Sequence, residues 1–312
     1  MQKISVALVT KNRPTLLLKC LASVISQHDA FDELIVVDGS STDVTESHCV
    51  SLFRNTLLRT QYIKNLQGDV ISGRNLALSA AQNRWLTFID DDCVVQSHYA
   101  YCLKQEISKN KKAVFFLGRS IPSNNQNIYS FAESLFYELW TKSKIAGNSI
   151  SDPEILDTKN VTLDRHYLKD KKIQFSSDRL GKDDFTCEDS DLGMQIYQKG
   201  GKGKYVDSLM VFHQGSIHFR QFLTRMYTHL RGHALYEKKW EQIRINLKIK
   251  TKPFLPLFMK VMRQYCEDTR ISATRLSFYL LFFCGSFILS RLLKTIQQKE
   301  LNGILYPFIS TR

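Results

Sequence analysis

Apolar and polar positions in the N-terminal part of the chain follow two alternating periods. Ile4-Ser5-Val6-Ala7-Leu8-Val9 is a buried-strand run that ends in the polar cluster Thr10-Lys11-Asn12-Arg13-Pro14. Pro14 suits a first helical turn, and Leu17, Cys20, Leu21 and Val24 then recur at i, i+3, i+4 and i+7, one core-facing stripe. Glu33 to Val37 gives a second strand, ended by Asp38-Gly39-Ser40-Ser41-Thr42-Asp43, where Thr42 can cap a helix reaching about Phe53. Gln61 to Ile63, a loop with Gly68, a helix through Gly73 to Ala77 and the strand Trp85 to Ile89 continue the alternation. Strands alternating with helices predict an α/β fold with a mostly parallel sheet covered on both faces, whose ligand crevice lies at the carboxyl ends of the strands.

After Val114 to Leu117 the alternation stops. A helix is predicted around Phe131, Leu135 and Leu139, and the polar stretch from Lys144 to Asp184 reads as loop-rich. Helix returns over Ser190 to Gln198, ended by Gly200-Gly201, and past His213 the chain is helical and basic. At 312 residues the chain is long enough for one large domain, or one domain with an appendage. The division expected is a first domain over 1–215, with one half to about 118 and a second over 119–215, followed by an extension over 216–312.

Charge changes this picture only once it is located. The net charge is +13, and 17 of the Lys and Arg against 5 of the Asp and Glu fall after Gly215, leaving the first 215 residues nearly neutral. A nucleic-acid binder carries its basic footprint across the recognition domain, whereas a neutral domain with a basic, apolar-rich tail predicts contact with an anionic membrane surface. Between Arg275 and Arg291 lie 15 uncharged residues, Leu276 to Ser290. That is short of the roughly 20 needed to span a bilayer and fits a helix in the interface or packed on the protein. Pro253 to Met259, among Lys248, Lys250, Lys252 and Lys260, is similarly basic and apolar. Gly and Pro are few, which excludes collagen-like and disordered classes, and the 7 cysteines are odd in number and without C-x-x-C spacing, which fits a reducing cytosol. The opening segment has no secretory-leader pattern.

The chemistry concentrates in a few clusters. Asp90-Asp91-Asp92 directly follows a strand, and three adjacent carboxylates repel unless a cation or hydrogen-bond donors compensate them. Mg²⁺ or Mn²⁺ takes a few carboxylates and completes its shell with water and substrate phosphates; the plain alternative is a solvated acidic turn. Cys187-Glu188-Asp189-Ser190-Asp191 opens a helix, where acidic residues also serve simple helix initiation. His213 follows the apolar run Leu209 to Phe212, a place where a histidine is otherwise structural.

These segments, in the order Val9 to Pro14, Val37 to Asp43, Gly73-Arg74-Asn75, Asp90 to Asp92, Glu188-Asp189 and His213, resemble the family 2 glycosyltransferases of the GT-A fold over approximately residues 3 to 215. The resemblance implies that Thr10, Asn12, Arg13 and Ser40 line the nucleotide pocket, that Asp38 accepts a hydrogen bond from the base, and that Arg74 lies near the diphosphate. It makes Asp92 the foremost ligand of Mn²⁺ or Mg²⁺, joined by Asp90 and His213, with Asp90 or Asp91 facing the ribose or the metal's water. Asp189 becomes the general base and Glu188 its support. The tryptophan of the processive synthases' Q-x-x-R-W motif is missing from Gln221 to Met226, so a single-sugar transferase is implied. The expectation is an inverting transfer from a nucleotide-diphosphate sugar to a saccharide or lipid-linked acceptor, in surface polysaccharide or glycolipid synthesis, by a cytoplasmic enzyme peripheral on the inner face of the membrane and not bound to nucleic acid. A sugar nucleotidyltransferase and a basic nucleic-acid-binding protein are the alternatives.

Overall fold

The computed structural model describes residues 2–27, 31–42, 44–54, 56–123, 127–150, 152–176, 186–247, 254–269, 274–277, 279–283 and 285. Asp43, Asp184, Lys248, Lys250, Lys252, Pro253 and everything from 286 onward, including part of the uncharged tail run, lie outside them.

The predicted alternation is present from β1 (Ile4–Thr10) through α1 (Pro14–Ile25), β2 (Glu33–Asp38), α2 (Val44–Phe53), β3 (Arg59–Lys64), α3 (Val70–Ala80) and β4 (Trp85–Ile89). Pro14 stands in the first turn of α1, and the side chains buried beneath that helix are Leu17, Cys20, Leu21 and Val24. After β5 (Cys93–Val95) come α4 (Tyr99–Lys109), β6 (Phe115–Pro122), α5 (Ile128–Ser143), β7 (Ile145–Ala146), β8 (Ser149–Ile150), a 3-10 turn over Pro153–Ile155, β9 (Asn160–Asp164) and α6 (Arg165–Asp170). The described chain ends with α7 (Glu188–Gln198), β10 (Gly203–His213), α8 (Phe219–Asn246), α9 (Phe254–Thr269) and helical residues among 274–285.

One sheet runs in the order β3-β2-β1-β4-β9-β6-β10-β8-β7, with β5 paired to β10. The β3-β2-β1-β4 half is parallel, while β9 lies antiparallel between β4 and β6. Two apolar clusters fill the faces, one built on Leu8, Leu34 and Val36 with α1 and α4, the other on Ile35, Phe88 and Val161 with Leu192 of α7.

Strand β9 departs from the loop-rich reading of Lys144 to Asp184. All 5 of its residues are buried, yet Asn160, Thr162 and Asp164 are polar and give no apolar run. Their polar groups are satisfied inside: Thr162 shares a hydrogen bond with Thr87 of β4 at 2.8 Å, and Asp164 takes Arg84 at 2.7 Å. The tail also differs in detail. Of the two readings of the uncharged run, an interface helix or one packed on the protein, Tyr279 and Phe283 follow the second, buried against α5 and α9 with the Tyr279 ring 5.0 Å from that of Phe131, whereas Leu281 is exposed.

Candidate active site

The parallel strands β1, β2 and β4 end side by side, so the loops after them meet. Gly39 N–H donates to the Thr10 carbonyl at 2.9 Å, Asn12 N–H to Ser40 Oγ at 2.7 Å, and Lys11 Nζ to the Gly68 carbonyl at 2.8 Å. Asn12 adopts a positive φ of 56° to make this turn. Asp38 is fully buried and accepts from Ser40 N–H at 2.8 Å and from the Tyr62 hydroxyl at 2.6 Å. Thr10, Asn12, Asp38 and Ser40 therefore belong to one hydrogen-bonded cluster at the strand ends, with Thr10, Asp38 and Ser40 buried and only Arg13 of the expected set reaching the cavity described below.

The three aspartates after β4 diverge. Asp91 turns inward and is fully buried, accepting from Thr10 Oγ1 at 2.6 Å and pairing with Arg13 at 2.6 Å. Burial lifts its pKa to about 7, against the pull of Arg13 and Thr10. Asp92 shares the Arg13 guanidinium with Asp91 but also meets His213. Strand pairing places it there: Cys93 of β5 lies opposite His213 of β10, and Gln214 N–H donates to the Asp92 carbonyl at 3.0 Å. His213 Nε2 stands 3.4 Å from Asp92 Oδ1, with Arg13 at 3.1 Å and Arg225 of α8 at 3.7 Å from Oδ2. Burial works against ionisation of Asp92, but His213, Arg13 and Arg225 outweigh it and hold its pKa below the usual carboxylate range.

Asp90 looks across to α3. Arg74, buried beneath Gly73 and Asn75 on that helix, reaches Asp90 at 3.9 Å and makes a short hydrogen bond to Glu188. Its guanidinium also lies 5.5 Å from the centroid of the Phe175 ring. One arginine of α3 thus joins the end of β4 to the start of α7, its partner Glu188 lying 114 positions away in sequence.

Helix α7 brings the second acidic group. Cys187 precedes it at a φ of 78°, and Glu188, Asp189 and Asp191 stand in its first turn. Gly193 packs so closely that an added Cβ would come within 2.1 Å of the Pro153 carbonyl, which seats α7 on the 3-10 turn. Asp189 Oδ1 accepts from Ser190 N–H at 2.8 Å. Burial, then Glu188 and Asp157, raise the Asp189 pKa to about 8, with Arg74 pulling the other way. Asp191 is buried and accepts from Trp240 Nε1 of α8 at 2.8 Å, with Lys239 at 2.6 Å. Glu154 on the 3-10 turn is the other anchor of α8, pairing with His233 at 2.5 Å and Arg244 at 2.8 Å as well as with Lys144 at 2.6 Å.

These groups open on one cavity of about 440 Å³. Asp90, Asp92, Arg74 and His213 stand in its wall with Glu188 and Asp189, and α5 and α8 add Tyr137, Trp140, Phe222, Arg225 and His229. Burial and the neighbouring His233 lower the His229 pKa to about 4, so its ring is neutral. Sequence reasoning located the carboxylates and His213 but not Glu133, Asp157, Lys159, Arg225 or His229; single charged residues on helices and in turns carry no local signature.

Asp92 and His213 form an oxygen and imidazole pair with Asp90 nearby. Among the described residues no three His, Cys, Asp or Glu side chains converge on one point. Asp92 and His213 are the residues here that could contribute to holding a divalent ion, and Asp92 is already met by Arg13 and Arg225.

Residues 5–159 match the profile of the family described as glycosyl transferase family 2, and residues 85–306 that of glycosyl transferase family group 2. The glycosyltransferase GlyA of Streptococcus pneumoniae serotype 4 is 22% identical over 250 residues, covering 77% of this chain and 34% of GlyA. GlyG of the same organism is 26% identical over 132 residues, 42% of this chain and 40% of GlyG. The chain thus spans well under half the length of these relatives. Among solved structures, S. aureus TarS superimposes with a TM-score of 0.54 at 19% identity over 72% of this chain and 38% of that one. The TarS 1-349 structure gives a TM-score of 0.55 at 14% identity over 97% and 92%, a likeness of fold.

Proposed function

The chain belongs to the family 2 glycosyltransferases, and from that premise we propose that it is an inverting, metal-dependent transferase moving one sugar from a nucleotide-diphosphate donor to an acceptor hydroxyl. One observation carries this reading: a single cavity holds both an ionised aspartate beside a histidine and a buried carboxyl with raised proton affinity. Donor activation and acceptor deprotonation need those two opposite properties.

In the proposed reaction the loops after β1 and β2, with Asn12, Arg13, Asp38 and Ser40, hold the nucleotide. Asp92 and His213 would hold Mn²⁺ or Mg²⁺, which supplies charge neutralisation for the departing diphosphate, while Asp90 pairs with Arg74. The Asp189 carboxylate takes the proton of the acceptor hydroxyl as that oxygen attacks the anomeric carbon from the back. The bond to the diphosphate oxygen breaks in the same displacement, and configuration inverts. Arg74 keeps Glu188 and Asp90 apart from that proton transfer by pairing with both. A base with a pKa near 8 is matched to work close to neutral pH.

The acceptor read here is a saccharide or a lipid-linked saccharide, at the cytoplasmic face of a membrane, in surface polysaccharide or glycolipid synthesis. No described helix is long and apolar enough to cross a bilayer. Peripheral contact through the basic part after Gly215 is supported by exposed Leu255 and Met259 on α9, which also carries exposed Arg263, and by exposed Leu281. Flotation with anionic vesicles at low salt tests it: binding that weakens with salt but persists in part is expected, and no binding removes the membrane reading.

The catalytic reading is tested with UDP-, GDP- and dTDP-sugars in Mn²⁺, reading binding and slow hydrolysis. One nucleotide class should bind in a metal-dependent way. Pyrophosphate release from a nucleoside triphosphate and a sugar 1-phosphate would favour a nucleotidyltransferase instead.

A further inference from the structure

The turn Asp157-Thr158-Lys159 stands in the cavity wall and has no part in the steps above. Asp157 organises it three ways. Its carbonyl accepts from Asn160 N–H at 3.2 Å, its Oδ1 from Lys159 N–H at 3.0 Å, and its Oδ2 pairs with Lys159 Nζ at 2.7 Å. Asn160, the next residue, is buried and fixed: its amide donates to the Arg119 and Leu209 carbonyls at 2.9 Å each, and its Oδ1 accepts from the Tyr99 hydroxyl at 2.6 Å. The lysine is therefore mounted on a rigid strand end, which holds a recognition group more accurately than a free loop.

Register determines what Lys159 faces. The antiparallel ladder of β4 and β9 ends at the pair Ile89 and Asn160, so Asp90 and Lys159 leave the sheet at the same end. On its other side α7 rests on the Pro153–Ile155 turn and carries Asp189. Burial disfavours the Lys159 ammonium, but Asp157, Asp90 and Asp189 more than offset it and keep it charged. Nζ also stands 4.1 Å from the centroid of the Tyr137 ring.

A sugar handed from the Asp90 and Asp92 end to a nucleophile activated by Asp189 must have its ring between those groups, in the cavity whose wall includes Lys159. An ammonium offers three donors, and Asp157 engages it from one side. We infer that Lys159, oriented by Asp157, hydrogen-bonds a hydroxyl or other polar substituent of the donor's sugar ring and sets which sugar is accepted. The inference rests on the nucleotide-sugar reading above. A site built to bond a substrate hydroxyl rejects an analogue lacking it, because the buried donor is left unpaired.

The test compares wild type, Lys159→Met and Lys159→Arg by calorimetry in Mn²⁺. Each protein is titrated with a bare nucleoside diphosphate and with its sugar conjugates differing at single hydroxyls, and hydrolysis of the conjugates is followed in parallel. Lys159→Met should bind the bare diphosphate as wild type does, lose about tenfold or more of the affinity for the preferred conjugate, and flatten the ranking among sugars. Lys159→Arg, which keeps the charge but replaces the compact ammonium with a longer, planar guanidinium, should alter the ranking rather than abolish it. If diphosphate and conjugate affinities fall together, or the ranking survives in both variants, Lys159 only balances its acidic neighbours and the inference fails. A wild type that binds no nucleoside diphosphate overturns the donor reading itself, and this inference with it.

Discussion

Asp92 and Asp189 line the same cavity and hold their protons with opposite strength. At the end of β4, Asp92 is met by His213, Arg13 and Arg225, and stays ionised despite burial. At the start of α7, Asp189 is buried with Glu188 and Asp157 as neighbours, and its pKa rises to about 8. The same chemical group is thus made a permanent anion in one place and a proton acceptor in the other, by the sign of the charges that the fold brings to it.

The largest expected effect separates the two roles at the base. Asp189→Asn keeps size and hydrogen bonding but cannot take a proton, so transfer to the acceptor should fall by about 10²- to 10⁴-fold. Steady-state assays on the acceptor check it. A near-normal rate would move the base to another group, Glu188 first.

Asp92→Ala breaks the comparison from the other end. It should lower nucleoside diphosphate affinity in Mn²⁺ by about tenfold or more while leaving metal-free binding nearly unchanged, because one of few protein ligands is gone. Calorimetry with and without the metal reads both.

How much of this was legible beforehand follows from where each partner comes from. The strands β1, β2 and β4 and the α1 stripe are local patterns, and the structure has them where periodicity predicted, while the acidic residues after β4 and at Glu188-Asp189 stood out as short sequence motifs. Strand β9 was not legible, because Asn160 and Thr162 read as surface residues until Tyr99 and Thr87 supply their bonds from elsewhere. The same holds for Arg74, whose partner Glu188 is 114 residues away, and for the Asp157-Lys159 turn. Polar burial depends on long-range partners, so periodicity alone misses it.

A smaller effect concerns stability. A carboxyl whose folded pKa is raised keeps its proton in the folded state while the unfolded chain releases it, so it destabilises the fold as pH climbs from the ordinary carboxylate range through about 8. Asp189→Asn should therefore melt higher than wild type at pH 9, and the two curves should converge toward pH 4. Equal differences at both ends would mean that Asp189 carries no such penalty.

The division of labour between the two aspartates is tested most directly by one parallel titration of nucleoside diphosphate, in Mn²⁺, into Asp92→Ala and Asp189→Asn. Wild-type affinity in Asp189→Asn beside metal-dependent loss in Asp92→Ala is the predicted result. Equal loss in both, or loss in Asp189→Asn alone, would contradict it.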